Sequence, residues 1–108
     1  MKRLHIGTGS LVTGDEIADA VLDYAAALYE SGRTATIGIP ILDDGGKRQD
    51  ARILITPAMS MWISTEASTA VEVSDAGLVT LLRDESRELA RVTTERTAHY
   101  SEMDPYDL

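Results

Sequence analysis

Gly7-Thr8-Gly9 follows a short alternating segment and precedes a helix, the setting in which a glycine-rich turn can cradle a pyrophosphate. The third glycine of that fingerprint is missing: Val12 stands in its place, and the next glycine is Gly14. No repeated strand–helix–strand pattern follows, and 108 residues are too few for the two-fold nucleotide fold. The stretch reads as a turn. Two histidines are present, His5 on the outward side of the first strand and His99 near the end. Neither sits in a catalytic motif, and no local spacing supports a metal site that joins them to carboxylates. Asp43, Asp44 and Asp50 lack the spacing of a calcium loop, and turn chemistry accounts for the first two. Ser10, Ser60 and Ser64 lack a nucleophile elbow. With no cysteine, thiolate catalysis and cysteine-ligated metal centres are excluded. No catalytic, cofactor-binding or metal-binding residue is assigned, and no cofactor is expected.

The residues that remain are suited to contact rather than catalysis. Alternation along 59–64 places Met59, Met61 and Ile63 inward and Ser60, Trp62 and Ser64 outward. The single Trp therefore stands on the sheet face opposite the isoleucines, sharing it with Leu54, Leu42, Thr36 and Gly38. An exposed Trp among small polar neighbours suits an interface anchor. The competing expectation is that the acidic tail, or the segment Thr65 to Val73, folds across and covers it.

These side chains depend on elements that the sequence also marks. Leu4 and Ile6 alternate with Arg3 and His5 in a short first strand, and Leu11-Val12 forms a brief return strand. A helix follows over 13–32. Thr13 and Glu16 have capping-box spacing, Val12 and Ile17 staple spacing, and Gly32 supplies a left-handed stop. Ile17, Val21, Tyr24 and Leu28 make its central stripe, which Leu22, Ala25, Tyr29, Ala20 and Ala27 widen to roughly 200°, against about 100° for a one-sided surface helix. The remaining face is acidic, with Glu16, Asp19, Asp23 and Glu30. The excess width predicts burial by the sheet and by a second helix, leaving the flank with Leu22, Ala26 and Tyr29 for a partner.

Thr34 to Leu42 reads as a strand with Ala35, Ile37, Ile39 and Ile41 on one face. Pro40 has no N–H to give, so one side of this strand must be open, bulged or at an edge. In the next strand Ala51, Ile53 and Ile55 form the matching set. A two-residue turn would set Ile37 against Arg52, whereas the three-residue loop Asp44-Gly45-Gly46 pairs Ile39 with Ala51 and Ile37 with Ile53. The odd-length loop is therefore predicted. A second helix is expected from a Ser74 cap with a Val73–Leu78 staple and a stripe of Leu78, Leu81, Leu82, Leu89 and Val92. Glu85 interrupts this stripe, so the helix should lie at a margin or fray midway.

Composition bounds the rest. A chain of 108 residues with 44% hydrophobic and 26% charged content is one ordinary globular domain. The net charge of −8 is concentrated at the ends, with −3 in residues 1–32 and −3 in residues 93–108. That distribution lacks the basic stripe of a nucleic-acid binder and disfavours anionic membranes. There is no signal-peptide pattern and no apolar run of membrane-spanning length, which reads as cytoplasmic.

Leu4-His5-Ile6-Gly7, the capped helix from Thr13, Ile53-Leu54-Ile55-Thr56-Pro57-Ala58 and Met59-Ser60-Met61-Trp62 resemble short hypothetical proteins of actinobacteria in layout. The resemblance covers roughly the first two-thirds of the chain and implies a bacterial cytosolic origin. It brings no activity with it.

The fold expected is a two-layer α+β sandwich, an antiparallel or mixed sheet of three to five strands with two helices. Residues 1–92 form the domain and 93–108 a loosely ordered acidic tail. The function expected is that of a non-catalytic interaction module and homo-oligomer, a homodimer in its simplest form, with Trp62, Leu54, Leu22 and Tyr29 as candidate interface. The alternative is a ligand-binding or regulatory domain with a pocket between the first helix and the sheet. An enzyme is the least favoured reading.

Overall fold

Alternating apolar residues, glycine turns and two amphipathic stretches resolve into seven elements in a computed structural model. It describes the backbone of residues 1–101 and the side chains of residues 1–94. The order is β1 (Lys2–Ile6), β2 (Gly9–Thr13), α1 (Asp15–Ser31), β3 (Ala35–Leu42), β4 (Arg48–Ile55), β5 (Met61–Thr65) and α2 (Ala76–Ser101). Among the described residues the five strands form one antiparallel sheet in the order β4-β3-β2-β1-β5. α1 lies against β1 and β5, and α2 runs along α1. One core joins Leu4, Ile17, Val21, Tyr24 and Leu28 to Ile39, Ile53, Ile55, Leu82 and Leu89. The architecture is two-layer α+β, and among the described residues the opposite face of the sheet is free of helices.

The β3–β4 hairpin has the register that face-matching requires, with Ile37 opposite Ile53 and Ile39 opposite Ala51. Asp43 and Lys47 close a three-residue loop, the Gly46 N–H donates to the Asp43 carbonyl, and Gly46 takes a φ of 79°. This is the type I turn with a left-handed glycine. Towards β2, β3 pairs only through Leu42 and Val12. The Pro40 carbonyl points that way, accepting a 2.7 Å bond from the buried Thr13 hydroxyl. In a strand a residue's N and C=O face the same neighbour. The donor that Pro40 lacks therefore falls on the side where the ladder is absent.

Both helix starts differ from expectation. Thr13 ends β2 and gives its hydroxyl to Pro40, so it forms no capping box with Glu16. Gly14 occupies the cap position without a side chain to offer, and the Asp15 N–H donates 2.6 Å to Glu72 Oε1 instead. A Cβ on Gly14 would overlap the Val73 carbonyl, so only glycine lets this segment seat against the helix. At the other end Gly32, at φ 67°, closes α1 as expected, with the Gly32 and Arg33 N–H groups donating to Tyr29 and Leu28 carbonyls. The second helix is capped by Asp75 rather than Ser74, its carboxylate accepting from the Leu78 N–H at 3.0 Å. It does not fray at Glu85 and continues past Val92 to Ser101. Leu82 and Leu89 are buried while Leu81 is exposed, because α2 turns one narrow face toward α1. The last strand starts at Met61, since Met59 closes a turn onto the Thr56 carbonyl. His99 and residues 95–108 of the acidic tail lie outside the residues whose side chains are described.

Candidate functional site

Antiparallel pairing of β1 with β5 sets His5 directly opposite Trp62 on the face without helices. Their rings are parallel within 3°, with centroids 3.6 Å apart. His5 Nε2 and Ser64 Oγ are 3.0 Å apart, a hydrogen bond whose donor follows the imidazole tautomer. Trp62 remains 55% exposed despite the stack. The indole is thus presented to solvent with its rotamer fixed, and fixing it beforehand lowers the entropy lost when a partner covers it. Beside this pair Arg3 grips Glu66 through Nε at 3.1 Å and Nη2 at 2.8 Å, and donates from Nη1 to Ser10 Oγ at 2.9 Å. The Arg3 guanidinium holds the Glu66 carboxyl below the usual range. Arg3, His5 and Trp62 therefore make an ordered polar and aromatic surface on β1 and β5.

The other candidate residues lie apart from it. Leu54 is 53% exposed on the same face, but on β4, four strand spacings away or on the order of 20 Å. Tyr29 is 69% exposed on α1, with Ala26 also exposed and Leu22 half-buried, on the helical side of the molecule. The four residues thus occupy three separate places. Segment 66–74 does not cover Trp62. It crosses the end of the sheet, where the Glu66 N–H donates to the Met1 carbonyl and Val73 is buried against Gly14.

Among the described residues, two clefts border this crossing segment. One, of about 420 Å³, separates the β1–β2 hairpin from the β3–β4 turn and is lined by Arg3, Ser10, Leu42, Asp44 and Glu66. Its one cation is already engaged by Glu66. The other, of about 350 Å³, lies at the start of both helices among Asp15, Glu16, Glu72 and Asp75. Helix N-termini attract anions, but here four carboxylates supply that charge themselves. The Met1 ammonium sits between Asp15 at 3.1 Å and Glu72 at 3.2 Å, and these bonds, Asp15 first, raise its pKa. Between α1 and the sheet, Ile17, Ala18, Ala20 and Val21 are fully buried. Among the described residues, no three His, Asp or Glu side chains cluster as metal ligands do. No described helix is long and apolar enough to cross a membrane.

Sequence reasoning places Trp62 and His5 each on an outward face but does not pair them. Their pairing depends on β5 joining β1, a connection that no local spacing encodes. Glu66 and Glu72 escape it for the same reason. No protein-family model, curated protein or solved structure matches this chain.

Proposed function

We propose that this chain is a non-catalytic interaction module that self-associates and that receives a protein partner on its uncovered sheet face, with Trp62 as the anchor. The observation that carries this reading is the solvent-exposed Trp62 held flat on His5, with His5 in turn bound to Ser64. Rigid, exposed aromatic side chains concentrate binding energy at protein interfaces. We place the module in the cytoplasm, since a chain without cysteine draws nothing from an oxidising compartment.

Selection of a random-peptide display library on the immobilised chain tests the anchor, with Trp62→Ala as counter-target. Peptides that enrich on the native chain and lose binding on Trp62→Ala support it. Emission from the single Trp should then shift to the blue on titration with such a peptide, as water leaves the indole. Enrichment that is indifferent to Trp62, or no enrichment at all, overturns the reading.

A further inference from the structure

Among the described residues β4 is an edge strand of eight residues, and its outward-pointing backbone has no partner strand. The Pro40 carbonyl points toward β2, so pair Pro40–Asp50 is not bonded across β3 and β4, and the Asp50 backbone faces the free edge. The same parity applies to Arg48, Arg52 and Leu54. Their side chains share the face without helices, reading cation, anion, cation, leucine. Among the described residues, no side-chain hydrogen bond or ion pair involves Arg48, Asp50 or Arg52. By contrast Lys2 and Arg83 each hold a carboxylate on α1, and Arg3 holds that of Glu66 in the crossing segment. An exposed edge of this length is a template for another strand, and this one carries its own complement.

We propose that two copies of the chain join by antiparallel pairing of their β4 edges about a two-fold axis at Ala51. This inference rests on the self-association part of the reading above and not on Trp62. In this register Asp50 faces Arg52 of the second copy, twice by symmetry, and Arg48 faces Leu54. All four pairs have backbone groups that point at one another. Sliding the copies to centre on Asp50 or on Arg52 sets like charges in contact. Centring on Gln49 pairs Asp50 with Arg48, but runs the second copy into the 43–47 turn. Centring on Ala51 is therefore the complementary register that uses the whole strand. Opposed residues share a face, so both helical layers lie on one side of a ten-stranded sheet. The two Trp62 anchors then stand on the outermost strands of the other side, on the order of 40 Å apart. Such a dimer presents two anchors to a partner at once.

Charge exchange and a single cysteine test this together. Asp50 and Arg52 are exposed and lie opposite Pro40 and Gly38, so neither change disturbs the core. In sedimentation equilibrium, Asp50→Arg or Arg52→Asp alone should weaken the native dimer about tenfold to a hundredfold. An equimolar mixture of the two variants should restore it, since both pairs between positions 50 and 52 are again opposite in charge. Ala51→Cys puts the only thiol of the chain on the axis, where a non-bonded antiparallel pair has Cα atoms about 4.5 Å apart, within disulfide range. It should cross-link under mild oxidation far more completely than Gln49→Cys. A dimer indifferent to both charge variants overturns the proposal; if Trp62→Ala abolishes that dimer, the anchor reading survives and takes over self-association. Preferred cross-linking through Gln49→Cys overturns the register. A monomer at every concentration overturns self-association, and the peptide selection then tests Trp62 separately.

Discussion

The β3–β4 hairpin and the end of the sheet where α1 begins are held together over different distances along the chain. In the hairpin, the Asp43 carboxylate accepts from the Gly45 and Lys47 N–H groups and from the Gln49 side chain, no more than six residues away. At the start of α1, Glu72 accepts from the Asp15 N–H across 57 residues and Glu66 binds Arg3 across 63. The sheet narrows between these regions to the single pair of Val12 with Leu42. Short loops close with little entropy lost, and a hairpin forms in microseconds. The contacts of segment 66–75 have no such advantage. We expect them to form once the strands and α1 are in place, closing the end of the core rather than starting it.

The sharpest way to break this contrast is a methyl group. Gly14 has φ −67° and ψ 155°, a conformation any residue adopts, so Gly14→Ala introduces no backbone strain. Its Cβ meets the Val73 carbonyl, which cannot rotate away as a side chain would. We expect a loss of about 3 kcal/mol, with a fall in melting temperature on the order of 15 °C. Gly38→Ala in the hairpin has its nearest neighbour, the Ala51 carbonyl, at 3.9 Å, and should be neutral or stabilise by about 0.5 kcal/mol. Paired thermal melts decide it. If Gly14→Ala melts with the native chain, segment 66–75 does not seat on the start of α1.

The same contrast explains what can be read from the residues. The hairpin register follows from two neighbouring faces and a loop that must be odd, all within 25 residues. Gly32 is legible because a helix stop needs its own φ. The width of the α1 stripe correctly requires a second helix along it. Thr13 misleads because its spacing to Glu16 is a genuine capping signal that a tertiary contact outcompetes: the hydroxyl goes to the Pro40 carbonyl. The cap comes from Glu72, whose sequence neighbours say nothing about α1. Alternation places Trp62 on its face, but strand order decides that His5 is its support and that Leu54 is far from it. Local chemistry fixes faces and turns; which strands become neighbours is settled by the whole chain.

A kinetic comparison sharpens the point with smaller changes. Gly46→Ala forces a β-carbon into a left-handed position within the hairpin turn, and Glu72→Ala removes the distant cap of α1. Each should be destabilising by about 1 kcal/mol. They should divide differently between the rates. Gly46→Ala should slow folding, because the turn is formed early, whereas Glu72→Ala should speed unfolding with little change in folding rate. Chevron plots of the two variants separate these outcomes. Slower folding in Glu72→Ala would place the crossing segment in the nucleus.

The smallest effect is electrostatic, and it separates the regions by the nature of the bond. Asp43 and Glu66 are both held below their ordinary values of 3.8 and 4.5, so each adds stability above that value and loses it as the pH falls through the lower folded one. The causes differ. Backbone donation from Lys47 comes first for Asp43, while for Glu66 it is the Arg3 side chain, whose full charge adds to the hydrogen bond. Salt at about 1 M shortens the screening length to about 3 Å and weakens attraction between full charges more than donation from fixed N–H dipoles. Titration of the two side-chain carboxyls by NMR should therefore show Glu66 rising toward its ordinary value in high salt while Asp43 stays low. Glu66→Gln should correspondingly remove an acid-sensitive part of stability that salt also removes, and Asp43→Asn a part that salt leaves in place. Equal movement of both carboxyls with salt would mean that Asp43 answers to the charges around the turn, and that the hairpin is no more local in its electrostatics than the crossing segment.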